Sequence, residues 1–303
     1  MRIAVTGGSG FLGSYLVEDL IARGHEVAVV VRPQTDRWRL QDVLGRIRLL
    51  EGSLDDIAGL RRPLELFQPE VVVHLAWRGV GNTDRNSPAQ ARNIVDAVEL
   101  ASLCAEIGVK AFVGAGSQAE YGPYQRAIRE EDVARPTTLY GKAKLAACGM
   151  TEQIATSGWM RFAWLRIFST YGPKDADFWI IPDLIRTLRS GKRMPLTAGE
   201  QLWGFLHARD AAAGFRTVIE SKGAQGIYNL GASDAPRLRD TVTALREMVN
   251  PAAELGFGDV PYRPDQVKVL KADISRLTAL GWEPRIDLPS GLKETVAWYV
   301  QHS

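Results

Sequence analysis

A chain of 303 residues is longer than a typical single core, which predicts one large α/β domain with a smaller appendage. Hydrophobic residues make up 46% and charged residues 24%, and 37 Lys+Arg against 35 Asp+Glu leave a net charge of +2, values that give no support for a nucleic-acid or membrane partner. No apolar run is long enough to span a bilayer, and Gly7, Gly8, Gly10 and Gly13 interrupt the one stretch that could imitate a secretory signal, so a cytoplasmic protein is expected.

In chain order, residues 2–6 read as a short buried strand. Residues 10–22 read as a helix with Phe11, Leu12, Leu16, Leu20 and Ile21 at helical spacing. Gly24 ends that helix, and 27–31 is a strand made almost wholly of valine. Segments 47–50, 71–75, 111–114 and 161–168 are strand-like; 56–67, 86–107 and 139–157 are helix-like. Strands separated by helices need crossover connections, hence a doubly wound parallel sheet covered on both faces. After Tyr171-Gly172-Pro173 the pattern changes, and helices at 181–190 and 238–249 alternate with loops rich in Gly and Pro. The expected division is a dinucleotide-binding domain at 1–172, rejoined by about 201–230, and a smaller C-terminal α/β substrate lobe at about 173–200 and 231–303. Cys104 and Cys148 lie in helical stretches without CxxC or His-rich company, which points to two reduced buried thiols and no metal site.

The turn after the first strand is Thr6-Gly7-Gly8-Ser9-Gly10-Phe11-Leu12-Gly13, between a strand and a helix of one βαβ unit. That context predicts a Rossmann-like phosphate cradle. Gly7 permits the tight turn, Gly10 lets a pyrophosphate approach the backbone, and Gly13 permits close helix packing. The next strand ends in Val30-Val31-Arg32-Pro33, with Arg where an NAD-binding carboxylate would stand. A guanidinium there can pair with a 2′-phosphate, which favours NADP(H) and leaves NAD(H) possible.

Tyr140 and Lys144 lie four residues apart on one helix face. A nearby ammonium favours the phenolate of a group whose ordinary pKa is about 10, and so allows proton exchange near neutrality. Upstream, Phe112-Val113-Gly114-Ala115-Gly116-Ser117 ends a strand, and Ala119-Glu120-Tyr121-Gly122 follows. Pro136-Thr137-Thr138-Leu139-Tyr140 and Leu165-Arg166-Ile167-Phe168-Ser169-Thr170-Tyr171-Gly172-Pro173 complete a pattern. Together with the Gly-x-x-Gly-x-x-Gly turn, the pattern resembles the extended short-chain dehydrogenase/reductase family, and within it the nucleotide-sugar epimerase, dehydratase and reductase group. The resemblance covers nearly the whole chain.

The resemblance implies catalysis by Ser117, Tyr140 and Lys144. It implies cofactor contacts from Gly7, Gly10, Phe11, Leu12, Gly13, Arg32, Ser53, Leu54, Leu75, Ala76, Asn93, Tyr140, Lys144 and Ile167. Substrate contacts fall on Ser117, Gln118, Ser169, Trp203 and Arg263, the last within Arg263-Pro264-Asp265, where the family holds its pyrophosphate. It also implies a homodimer built from the helices at 86–107 and 139–157. His74 and His207 are read as packed histidines.

Several positions depart from the family pattern. Ser53 stands for an adenine-binding Asp, Ser169 for an Asn, Trp203-Gly204 for Arg-Asp, and Gln266 for an Asp. Dehydratases of this family carry Asp-Glu after the catalytic hydroxyl residue, whereas here Gln118 and Ala119 follow Ser117 and Glu120 is displaced by one position. Dehydration is therefore not expected. The leading expectation is a reductase of a 4-keto-6-deoxy sugar nucleotide. A 4-epimerase with retained NAD is the alternative, followed by a non-catalytic NADPH-binding regulator or a reductase of non-nucleotide ketones.

Overall fold

The computed structural model describes residues 1–263 and 266–302. From the N-terminus β1 (Arg2–Thr6), α1 (Phe11–Ala22), β2 (Glu26–Val31), β3 (Arg48–Glu51), α2 (Ile57–Phe67), β4 (Val71–His74), α3 (Gln90–Glu106), β5 (Ala111–Ser117), α4 (Leu139–Ser157) and β6 (Arg161–Ile167) follow one another. The chain continues through β7 (Thr170–Tyr171), α5 (Ile180–Arg189), β8 (Met194–Leu196), β9 (Leu202–Trp203), β10 (Leu206–His207), α6 (Ala208–Glu220) and β11 (Gly226–Leu230). It ends with α7 (Leu238–Val249), β12 (Leu255–Phe257), β13 (Val269–Leu270), α8 (Ser275–Thr278) and α9 (Leu288–Gln301).

Strands β11, β6, β5, β4, β1, β2 and β3 pair in that order into a seven-stranded, wholly parallel sheet. Side chains of a strand alternate between faces, and both faces are covered here. Ile3 and Val5 join Leu16, Leu20 and Phe215 in the layer of α1 and α6, while Ala4 joins Leu60, Leu100 and Ala147 in the layer of α2, α3 and α4. This two-sided burial is why the strands are apolar at nearly every position.

Two element limits differ from the sequence reading by more than one residue, each for a physical reason. The helix expected from residue 86 starts at Gln90, because Pro88 disfavours helical backbone at Ser87. The Gln90 amide nitrogen instead ties the preceding loop through the carbonyls of Gly79 and Asp84. Strand β5 runs on to Ser117 because its glycines admit a neighbour rather than a turn: a Cβ on Gly114 would lie 2.1 Å from the Trp164 ring.

The remaining elements form a second core, in which Ile181, Leu184 and Leu188 of α5 meet Val242 and Leu245 of α7 and Leu292 and Val296 of α9. Parallel pairs β8–β12, β9–β13 and β7–β10 edge it. The Tyr15 hydroxyl donates to the Pro173 carbonyl at 2.9 Å and Arg39 Nε to the Lys174 carbonyl at 2.8 Å, joining this lobe to the sheet domain. No helix among the described residues is long and apolar enough to cross a membrane. Cys104 and Cys148 are buried free thiols.

Candidate active site

The sheet order reverses between β1 and β4, and the crevice beyond the carboxyl ends of those strands is where open α/β sheets take a ligand. Gly7 leaves β1 with φ +73°, and a Cβ there would fall 2.6 Å from the Ala76 backbone nitrogen at the end of β4. Only glycine allows the two strand ends to approach so closely. Gly10 caps α1 without a side chain over its first amides, and a Cβ on Gly13 would lie 2.1 Å from the Gly7 carbonyl oxygen. The open amides of this helix N-terminus fit the pyrophosphate of a dinucleotide.

The resulting cleft, about 360 Å³, brings together Gly7, Gly10, Arg32, Ser53, Leu54, Leu75, Ala76 and Asn93. The side chains of Phe11 and Leu12, in the first turn of α1, pack against the core beside the sheet. Ile167 ends β6 beside Ser117, its register partner on β5.

At the far end of the cleft Arg32 is exposed, its backbone N–H donating to the Thr35 hydroxyl at 3.1 Å. Glu51, at the neighbouring strand end, is drawn towards Arg37 at 3.8 Å. The Ser53 hydroxyl donates to Asp55 at 3.1 Å. Arg78, which no spacing in the sequence marks, bridges Asp55 at 2.9 Å and Asp96 at 3.1 Å. Asn93 holds the Arg78 backbone by accepting from its nitrogen and donating to its oxygen.

Ser117 at the end of β5 and Tyr140 and Lys144 on the opening turns of α4 are all buried. Thr138 starts α4, its hydroxyl accepting from the Gly141 nitrogen at 3.1 Å. Lys144 Nζ donates to the Ala115 carbonyl at 2.7 Å and lies 3.7 Å over the Trp77 ring. Burial holds Lys144 down to about 7, with Glu120 acting the other way. The Tyr140 phenol is pushed up by burial, while the Ser117 hydroxyl and the Arg85 guanidinium act in the opposite direction. The sequence paired Tyr140 with Lys144; the structure adds Arg85 and Trp77, both from the loop after β4. Trp77 stands edge-on to Tyr140 at 6.2 Å and donates from its indole nitrogen to Gln90 at 2.9 Å.

His74 and His207 are both buried. His74 Nδ1 lies 2.8 Å from the Thr6 hydroxyl, and His207 Nδ1 accepts from the Arg209 nitrogen as the cap of α6. Among the described residues no group of His, Cys, Asp and Glu could hold a metal ion.

Beyond Ser117, Gln118 is buried in a short turn. Glu120 is fully buried behind Ser117. Its carboxylate accepts from Arg166 Nε at 2.6 Å, from the Trp164 indole at 3.0 Å and from the Ser117 backbone nitrogen at 2.8 Å. Ser169 and Trp203 meet, the indole N–H donating to the hydroxyl at 3.0 Å. Arg263 lies before β13, its carbonyl accepting from the Gln266 nitrogen at 3.0 Å, while Pro264 and Asp265 fall outside the described residues.

Residues 3–231 match the model of the NAD dependent epimerase/dehydratase family. A dTDP-glucose 4,6-dehydratase of Streptomyces griseus is 28% identical over 319 residues, covering 99% of this chain and 94% of that protein. A dTDP-6-deoxy-L-talose 4-dehydrogenase (NAD(+)) of Aggregatibacter actinomycetemcomitans is 25% identical over 251 residues, covering 82% and 90%. A UDP-glucose 4-epimerase of Thermus thermophilus, solved with NAD, superposes with a TM-score of 0.88 at 26% identity over 99% of each chain. A glycine cradle at the sheet's reversal point, a buried serine, tyrosine and lysine beside it and this match over most of the length make the chain a member of the NAD dependent epimerase/dehydratase family.

Proposed function

We propose that the protein is an NADPH-dependent reductase of a 4-keto-6-deoxy sugar nucleotide. The observation that carries this reading is that Ser117 and Tyr140 interact through their hydroxyls and that Tyr140 and Lys144 both lie against Trp77 of the cleft wall, while the Glu120 carboxylate is bound to Arg166 and Trp164. No acid–base pair for eliminating water follows Ser117, so the family chemistry left to these residues is hydride and proton exchange at one carbon. A bound nicotinamide supplies the hydride. Tyr140 gives the proton to the carbonyl oxygen, Ser117 donates a hydrogen bond to the same oxygen, and Lys144 holds the ribose and tunes Tyr140. Arg32 receives the 2′-phosphate. The lobe of α5, α7 and α9 takes the nucleotide end, with Arg263 on its pyrophosphate and Gln118, Ser169 and Trp203 along the sugar. The talose 4-dehydrogenase relative is named for oxidation at C4 of a 6-deoxy sugar, the reverse of this step.

A 4-epimerase with retained NAD is the second reading, supported by the likeness to the NAD-bound UDP-glucose 4-epimerase. Tyr140 would then take the proton first and return it after the ketone has turned. Exposed Val95 on α3 and Met150 on α4 support a homodimer through these helices. The deciding experiment incubates the purified protein with NADPH and 4-keto-6-deoxy sugar nucleotides, alongside mass spectrometry of the denatured protein. Steady NADPH consumption that disappears in Tyr140→Phe is the expected result. Retained NAD, with sugar interconversion and no net consumption, would make it an epimerase instead.

A further inference from the structure

The Arg78 guanidinium is anchored on one side and open on the other. Both of its ion pairs run through a single nitrogen, Nη2, which lies 2.9 Å from Asp55 and 3.1 Å from Asp96. Nε and Nη1 have no partner among the described residues. Asp96 is buried and already holds Arg92 Nε at 2.9 Å, so its charge is met without Arg78. The pair with Asp55 is 45% and 56% exposed at the side chains, and pairs of that kind add little to stability. What the two carboxylates fix is the direction of the group. Asp55 is itself held, accepting from the Ser53 hydroxyl at 3.1 Å, and Asn93 holds the Arg78 backbone at both its nitrogen and its oxygen.

The glycine turn sits at the end of β1, and Ser117 ends β5 on one side of it. The half of a dinucleotide away from the reacting groups therefore extends to the other side, past the ends of β2 and β3. At that end the cleft is lined by Leu54 from the loop after β3 and by Arg78 from the loop after β4, and the Arg78–Asp55 pair joins the two loops. A purine presents flat π-faces, and a guanidinium is a flat, permanently charged group that packs on such faces where an ammonium does not. We propose that Arg78 is an adenine-binding residue: Asp55 and Asp96 hold its guanidinium so that it packs on the base of the bound dinucleotide. This rests on the reading of the cleft as the dinucleotide site, and it holds for NAD and NADP alike because both carry adenine.

The test is calorimetry of the full-length protein with two half-ligands and no turnover: ADP-ribose, which carries adenine but no nicotinamide, and reduced nicotinamide mononucleotide, which carries the reverse. In Arg78→Met, ADP-ribose should bind about tenfold more weakly while the nicotinamide half stays within about twofold. Arg78→Lys keeps the charge without the plane and should recover little of the loss. Asp55→Asn leaves Asp96 and its partners in place and removes one anchor of the guanidinium, so it should weaken ADP-ribose by about threefold. Unchanged ADP-ribose binding in Arg78→Met would overturn the proposal. So would full recovery in Arg78→Lys, which would reduce Arg78 to a charge near the phosphates, and so would equal losses of both halves, which would reduce it to a loop anchor. Wild-type protein that binds neither half would overturn the dinucleotide reading itself, an outcome distinct from a failure of Arg78.

Discussion

The Trp203 indole N–H donates to the Ser169 hydroxyl at 3.0 Å, so two positions that the sequence reading sets apart from the family pattern are partners of each other. Ser169→Ala should leave the half-buried indole nitrogen unpaired and cost about 1 kcal/mol of stability. Trp203→Phe removes the donor, so the double variant should be no worse than Trp203→Phe alone. Urea unfolding of the two single variants and the double one measures this, and additive losses would show that the bond contributes nothing.

Glu120 and Arg166 form a buried ion pair, 0% and 3% exposed at the side chains and 2.6 Å apart. Removing one partner of such a pair strands the other charge in the interior, at about 3–5 kcal/mol. Glu120→Gln should therefore unfold at a clearly lower temperature, and its folded fraction should remain active. Retained stability with a collapsed kcat would place Glu120 in the chemistry.

Arg32 lines the cleft just past the end of β2 and is exposed there to an incoming ligand. A charge-assisted bond to a 2′-phosphate contributes about 1.5–3 kcal/mol. Arg32→Ala should thus weaken NADPH binding by roughly 10- to 100-fold and leave NADH binding unchanged. Calorimetry with both nucleotides decides it, and equal losses would make Arg32 a solvated strand end.

Burial first, and the neighbouring Lys144 second, bring His74 from its ordinary 6.5 down to about 3. Between those values the unfolded chain binds a proton that the folded chain refuses. The stability linked to neutral His74 is present above the unfolded value and is lost as pH falls towards 3. Relative to wild type, His74→Gln should gain stability steadily on acidification through that window and show a constant difference above it. Paired denaturation curves at several pH values measure it, and a difference that never changes with pH would mean that folded His74 protonates freely.

The order of strands and helices, the glycine cradle and the Tyr140–Lys144 pair were legible in the sequence because each depends on short-range geometry, whereas Ser117 was marked only by the resemblance to the extended short-chain dehydrogenase/reductase family. Residues four apart on a helix share a face, and a glycine-rich turn after a buried strand has few other conformations. The element limits at Gln90 and Ser117 were less legible, since they depend on a side chain bonding its own loop and on an indole from another strand. Tertiary structure alone decided that Glu120 meets Arg166, that Trp203 meets Ser169, that Trp77 covers Lys144 and that Arg85 stands at Tyr140. Those partners lie 46, 34, 67 and 55 positions apart, and no local periodicity links them. Their meeting follows from the sheet bringing its strand ends to one crevice, where burial leaves each polar group only the partners that packing places beside it.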